Sequence, residues 1–170
     1  MILRRIAAVA LDQVVIGVYI AAISLVFAML PPDVVGKFFA TPFRGQLTVL
    51  VILTLPVWAY GSLLEASKWR ATVGKRCLGL RVVDRDGDRA GVRATMVRNG
   101  LKLLPWELAH TCLWQVEGWP TEPVSPTGVV AAGLGLVWVL VIAAAVTVLV
   151  RQDRRAPWDL AAGVRVVRSG

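Results

Sequence analysis

The stretch Glu107-Leu-Ala-His110 sets a carboxylate and the chain's single imidazole three residues apart. On a helix that spacing brings both side chains to one face. Glu-x-x-His on bundle helices is how carboxylate-bridged two-metal sites are built, but those sites use two copies and two further glutamates. One copy leaves three chemistries open. A second protomer would complete a two-metal site. A single divalent metal ion, the one candidate cofactor, would be held by Glu65, Glu107 and His110, with Asp12 as a further ligand. Without metal, an imidazole beside carboxylates titrates near neutrality and can relay a proton or hold a cation. The plain alternative is a polar pair that fixes its helix in a bundle.

Asp12 is the second candidate. It follows Arg5 by seven residues, within about 20° of the same helical face at 3.6 residues per turn. It also interrupts an apolar run, where an ionisable side chain costs about 2.5–3.5 kcal/mol on insertion scales and turns toward the protein interior or water. Asp12 therefore reads either as a proton- or cation-binding carboxylate or as a structural anchor paired with Arg5 or a donor on another helix. Cys77 and Cys112 form no disulfide framework and no metal-ligand spacing, so they read as reduced thiols. An intramembrane metal enzyme ranks last among the functions. There is no second histidine, no His-Glu-x-x-His and no nucleophile beside a base.

The elements that must carry these groups are apolar. Of 170 residues 56% are hydrophobic, mean hydropathy is +0.65, and 19 basic side chains face 11 acidic ones for a net +8. Soluble domains average about 45–50% apolar even with glycine counted. A disordered chain is excluded by that hydrophobicity. The apolar residues lie in long runs and the charges in separate blocks, which points to a membrane. Spans are expected at about 6–30, 47–66, 101–119 and 128–150, since about 20 helical residues cross the hydrocarbon core. Pro56 is tolerable in the second span if neighbours satisfy the freed backbone. The third holds Lys102, Glu107, His110 and Gln115 and should face other helices. Asp12 would fall inside the apolar region of a secretory signal, which argues against reading the first span as one.

Charge sets the expected topology. Seventeen Lys and Arg residues precede the first span, lie in loop 67–100 with Lys102 just beyond it, or follow the fourth span. Only Lys37 and Arg44 lie on the other side. By the positive-inside rule both termini, the loop and the tail 151–170 are cytoplasmic, with 1–170 one domain. The basic charge then needs no nucleic acid; its partners are the lipid bilayer and anionic lipid headgroups, at about 1 kcal/mol per basic side chain near the surface. Thr72-Val-Gly-Lys75 lacks the first glycine of a phosphate-binding P-loop. In the loop, Cys77–Asp84 is rich in strand formers, Asp86-Gly87 signals a turn, and Arg89–Ala94 is expected to return as a hairpin. The Gly163–Val167 stretch is a candidate third strand, and Thr95–Leu104 an interfacial helix. Gly128, Ala131, Ala132 and Gly135 offer the fourth span a close-packing face.

Three segments stand in register: Arg5-Ile-Ala-Ala-Val-Ala-Leu-Asp12, Ala71-Thr-Val-Gly-Lys-Arg-Cys-Leu-Gly-Leu-Arg-Val-Val-Asp84, and Trp158-Asp-Leu-Ala-Ala-Gly-Val-Arg-Val-Val167. Together they resemble the RDD family of bacterial membrane proteins. Arg5 matches the family arginine, Asp12 and Asp159 its two aspartates, and Thr72, Gly74 and Lys75 its loop signature, with Arg98-Asn99 as continuation. The resemblance implies an integral membrane fold in the bacterial cytoplasmic membrane and a role in transport, some members being linked to sodium–proton exchange. The two additional spans depart from the minimal two-span pattern.

The expected fold is an all-α membrane protein, a four-transmembrane-helix bundle with a small cytoplasmic β-hairpin and an interfacial helix. At 1.5 Å per residue Asp12 lies roughly 10 Å along its span, and Glu107 and His110 roughly 9 and 13 Å along theirs. Asp12, Glu65, Glu107 and His110 are thus expected to share an inner-leaflet site for a proton or metal cation in a transport-related protein. The other class is a non-transporting scaffold or accessory subunit whose polar cluster fixes packing. A bundle this small has little room for a path within one protomer, so a homo-oligomer is expected.

Overall fold

The structure, a computed structural model, describes residues 2–116, 119 and 128–169. Three helical stretches are long and apolar enough to cross a membrane: Ile2–Ala28, Pro42–Ala66 and Gly128–Val150. The first is α1 (Ile2–Ala28). Its protected side chains, among them Arg5, Ala8, Asp12, Val15, Tyr19 and Ile23, recur every three or four residues. That is one helical stripe, with apolar residues such as Val14 and Val18 exposed around it. After the short α2 (Pro32–Phe38), α3 (Pro42–Val49) begins on a preset proline. The Thr41 hydroxyl accepts the Arg44 N–H there at 3.2 Å.

The second apolar stretch continues through a π turn (Leu50–Thr54) into α4 (Leu55–Ala66). Pro56 explains this. It has no N–H for the Ile52 carbonyl, so the ladder slips and the Leu55 N–H reaches Leu50 instead. The freed Ile52 carbonyl accepts the Tyr19 hydroxyl of α1 at 2.7 Å, which binds two apolar helices through one repaired backbone group.

Beyond α5 (Val73–Cys77) and β1 (Leu80–Val83) runs α6 (Val92–Leu113), parallel to the length of the α3–α4 rod. At one end the Asn99 side chain packs where a Gly61 Cβ would sit, 2.8 Å away. At the other the Trp114 ring covers Gly45 and stacks on Phe39 with centroids 5.8 Å apart. α7 (Gly128–Val150) then packs along α6 and has one buried residue, Ala144. α8 (Pro157–Ala161) and β2 (Arg165–Arg168) follow.

Three local expectations change. The partner of β1 is β2, antiparallel with Val82 opposite Val166, and not Arg89–Ala94. The latter contributes one bridge, Val83 to Arg89, because the chain turns helical at Val92, where α6 starts, and leaves too short an extended segment to pair further. The small sheet thus joins loop to tail, over a core of Ala8, Leu80, Val82, Ala90, Val164 and Val166. Thr95–Leu104 is no separate interfacial helix but the first half of α6, continuous through Pro105. The close α6–α7 approach falls at Gly133, against the Cys112 sulfur, whereas Gly135 meets open space. The expected turn at 119–127 lies outside the described residues except for Trp119.

Tyr19→Phe removes the donor that repairs the Pro56 gap. It should lower resistance to unfolding in detergent by about 0.6 kcal/mol, the average for measured membrane hydrogen bonds, and by no more than about 1.7 kcal/mol, their maximum. An unchanged unfolding curve would show that Ile52 finds another partner.

Candidate functional site

Asp12 is buried, and its carboxylate caps another element. Its Oδ1 accepts the Gly74 N–H at 2.8 Å and the Tyr60 hydroxyl at 2.9 Å. Oδ2 accepts the Thr72 hydroxyl at 2.6 Å. Tyr60 in turn accepts the Val73 N–H at 3.1 Å, so α1 and α4 together satisfy the opening N–H groups of α5. The loop signature follows from this approach. A Cβ at Gly74 would strike the Ala8 carbonyl and lie 3.0 Å from the Asp12 backbone nitrogen. Thr72 supplies the hydroxyl, and Lys75 carries a charge inward.

Lys75 Nζ lies 2.9 Å from Glu65 Oε1 and 3.9 Å from Asp12 Oδ2. Glu65, at 0% exposure, also accepts Arg98 Nη1 on both oxygens at 2.8 Å and the Asn99 amide at 2.9 Å. Arg98 Nε reaches Asp159 Oδ1 at 2.6 Å, while Asp159 Oδ2 accepts the Ala156 N–H at 3.1 Å. Every carboxylate oxygen of Asp12, Glu65 and Asp159 thus has a donor from the chain itself. Arg5 does not pair with Asp12. It donates to the carbonyls of Arg154 and, at 2.7 Å, Val166. Arg154 takes φ 54°, in the left-handed region, as the chain leaves α7.

Glu107 and His110 stand elsewhere. Glu107 is eight residues beyond Asn99, about 12 Å along α6 at 1.5 Å per residue. Its Oε2 accepts the Gln46 amide at 3.0 Å, and its Oε1 accepts the hydroxyl of Thr54, which the π turn presents to α6. His110 Nδ1 is 3.6 Å from Glu107 Oε1, and its ring meets Trp106 edge-on at 4.7 Å. Two buried polar atoms here, His110 Nδ1 and Gln46 Oε1, have no hydrogen-bond partner among the described residues. The four expected site residues therefore form two centres: Asp12 with Glu65, and Glu107 with His110. The trio Glu65, Glu107 and His110 does not converge. Among the described residues no group of three or more His, Cys, Asp or Glu side chains could hold a metal ion.

Against known proteins, the RDD family model matches residues 1–163. The chain belongs to the RDD family. A curated relative, the protein YxaI of Bacillus subtilis (strain 168), described as uncharacterized, is 47% identical over 45 residues. That match covers 26% of this chain and spans only 29% of the relative's own length. No solved structure matches. The residues matched to the family pattern in the sequence have physical roles in the structure. Arg5 ties α1 to the tail, Asp12 ties it to the Thr72–Lys75 turn, and Asp159 ties α8 to α6 through Arg98.

The residues to which sequence reasoning gave no place in the site are mostly donors, Arg98-Asn99 having been read only as a continuation of the family's loop signature. Arg98 and Asn99 had a signal, since adjacent polar residues within a helix bound for a bundle need buried partners. Gln46, Thr54 and Tyr60 had none: each becomes informative only once the facing helix is known.

Glu65→Gln leaves Arg98 and Lys75 without their shared charge and should cost about 3–5 kcal/mol of stability, the range for breaking buried ion pairs. Gly74→Ala should lower folded yield by forcing α5 off α1. Thermal unfolding and yield of purified protein in detergent check both, and wild-type behaviour of Glu65→Gln would mean that the network bears no load.

Proposed function

We propose that this RDD protein is a transport-related, four-span protein of the bacterial cytoplasmic membrane with both termini cytoplasmic, and that its exchangeable proton or cation binds at Glu107 and His110. Support for four spans comes from the course of α6, which runs from Glu65 at one end of the rod to Gly45 at the other. Support for the orientation comes from charge: the end where loop and tail gather carries nearly all the Lys and Arg side chains. That basic face would rest on anionic headgroups of the bilayer.

The observation that carries the site is the pair of unpartnered buried atoms beside Glu107, His110 Nδ1 and Gln46 Oε1. A proton between Glu107 and His110 would satisfy Nδ1, and a small cation coordinated by Glu107, Gln46 and Thr54 oxygens would satisfy the Gln46 Oε1. Intramembrane carboxylates and histidines typically mark such paths. A separate metal-enzyme reading gains no support among the described residues, where no third His, Cys, Asp or Glu side chain joins the pair. A homo-oligomer would widen the path that one small bundle lacks.

A second reading has its own support. The Asp12, Glu65 and Asp159 carboxylates are saturated by internal donors, as expected of a scaffold or accessory subunit whose charges fix packing. The two readings part on one residue. In proteoliposomes with an internal pH dye, wild-type protein should move protons against a sodium or potassium gradient. Glu107→Gln should abolish that flux while keeping folded yield. Asp12→Asn should reduce folded yield instead. No wild-type flux, or undiminished flux in Glu107→Gln, would leave the scaffold reading.

A further inference from the structure

A cleft of about 290 Å³ opens beside the ion-pair network, between the start of α1, the middle of α6, the end of α7 and α8. Arg5, Lys75, Arg98, Lys102 and Asp159 line its polar end. A second cavity of about 560 Å³ shares Lys102, Ile2, Ile6, Val148 and Trp158 with it and continues between α6 and α7 past Ala109 to Val137. The two form one amphipathic cleft, cationic at one end and apolar along its length.

The charges at the polar end do not balance. Three carboxylates, Asp12, Glu65 and Asp159, meet four cations, Arg5, Lys75, Arg98 and Lys102. Lys75 and Arg98 are spoken for by Glu65 and Asp159. Arg5 binds only backbone carbonyls, and its Nε is buried without a partner. Lys102 makes no hydrogen bond or ion pair with any described residue. Surplus positive charge beside apolar walls is costly unless an anion compensates it. A phosphodiester carries one negative charge and two free oxygens, which suits one guanidinium N–H and one ammonium.

The apolar end has a matching length. From Leu149 to Val137 along α7 is twelve residues, about 18 Å at 1.5 Å per residue. One leaflet of hydrocarbon is about 15 Å deep, half of the roughly 30 Å core. An acyl chain entering beside Lys102 and Trp158 would lie along Ala109, Val141 and Val137. We infer that this cleft holds one anionic phospholipid of the surrounding leaflet, its phosphate between Arg5 and Lys102 and an acyl chain in the α6–α7 groove. The inference stands apart from the Glu107 reading: it uses a different face of α6 and needs no transport.

Native mass spectrometry of protein released from nanodiscs tests it. Discs of phosphatidylcholine with phosphatidylglycerol should yield one retained phosphatidylglycerol per chain and no retained phosphatidylcholine. Lys102→Gln lies outside the paired network and should cut retention about ten-fold, the loss of one charge-assisted contact. Val141→Trp keeps every cation, fills the groove and should cut retention as well. Excess inorganic phosphate should leave the lipid in place. Equal retention of the neutral lipid, wild-type retention by either variant, displacement by inorganic phosphate, or a lipid-free dimer that covers the groove would each overturn the assignment.

Discussion

Glu65 has no exposure to solvent, so its carboxylate must find donors inside the protein, and they come from two directions. Lys75 arrives from the loop, Arg98 and Asn99 from α6, and Asp159 reaches the same arginine from beyond α7. An ion left alone there would be penalised by several kcal/mol. The bundle is therefore assembled around pairing. Loop and tail fold back onto the helices because the charges they carry are needed at Glu65 and Asp12. Buried pairs of this kind add little net stability over an apolar core of equal volume. Their effect is selective: a packing that misplaces α6 or α8 strands a charge.

The two polar centres answer that constraint differently. Around Asp12 and Glu65 each acceptor is matched, down to the backbone N–H of Gly74. Around Glu107 the chain supplies donors from Gln46 and Thr54 but leaves an imidazole nitrogen and an amide oxygen unmatched. A saturated cluster has no vacancy for a ligand, whereas an under-filled one does. That contrast separates the network of Asp12, Glu65 and Asp159 from the centre at Glu107 and His110. The saturated network reads as architecture.

Much of this was legible in the sequence. Long apolar runs predicted four spans, of which three, Ile2–Ala28, Pro42–Ala66 and Gly128–Val150, are helices long and apolar enough to cross a membrane. The expected span at 101–119 is not among them. Three motifs in register named the family. The polar groupings were only half legible. Counting along each helix from its expected start placed Asp12, Glu65, Glu107 and His110 at similar depths, yet Glu107 stands about 12 Å beyond Asn99 along α6, level with Gln46 and Thr54 and not with Glu65. Asp12 and Arg5 share a stripe of α1 and still have different partners, the Thr72–Lys75 turn for one and the tail carbonyls for the other. The sheet was misread because Asp86-Gly87 signals a hairpin locally, while the partner of β1 depends on tertiary closure. The start of α6 at Val92 limits the nearer segment to a single bridge. The π turn followed from Pro56, whose missing N–H was visible, yet the phenol that compensates it lies on another helix.

The pairing of β1 with β2 has a consequence for biogenesis. Both α6 and α7 lie between these strands in the chain, so the sheet cannot close until the ribosome has delivered both. Until then Arg98 lacks Asp159, Arg5 lacks its tail carbonyls, and the hydrophobic underside of β1 has no cover. A nascent RDD chain thus passes through an interval in which its half-built cation cluster needs shelter, whether from the insertion machinery or from lipid, and only translation of the tail brings that interval to a close.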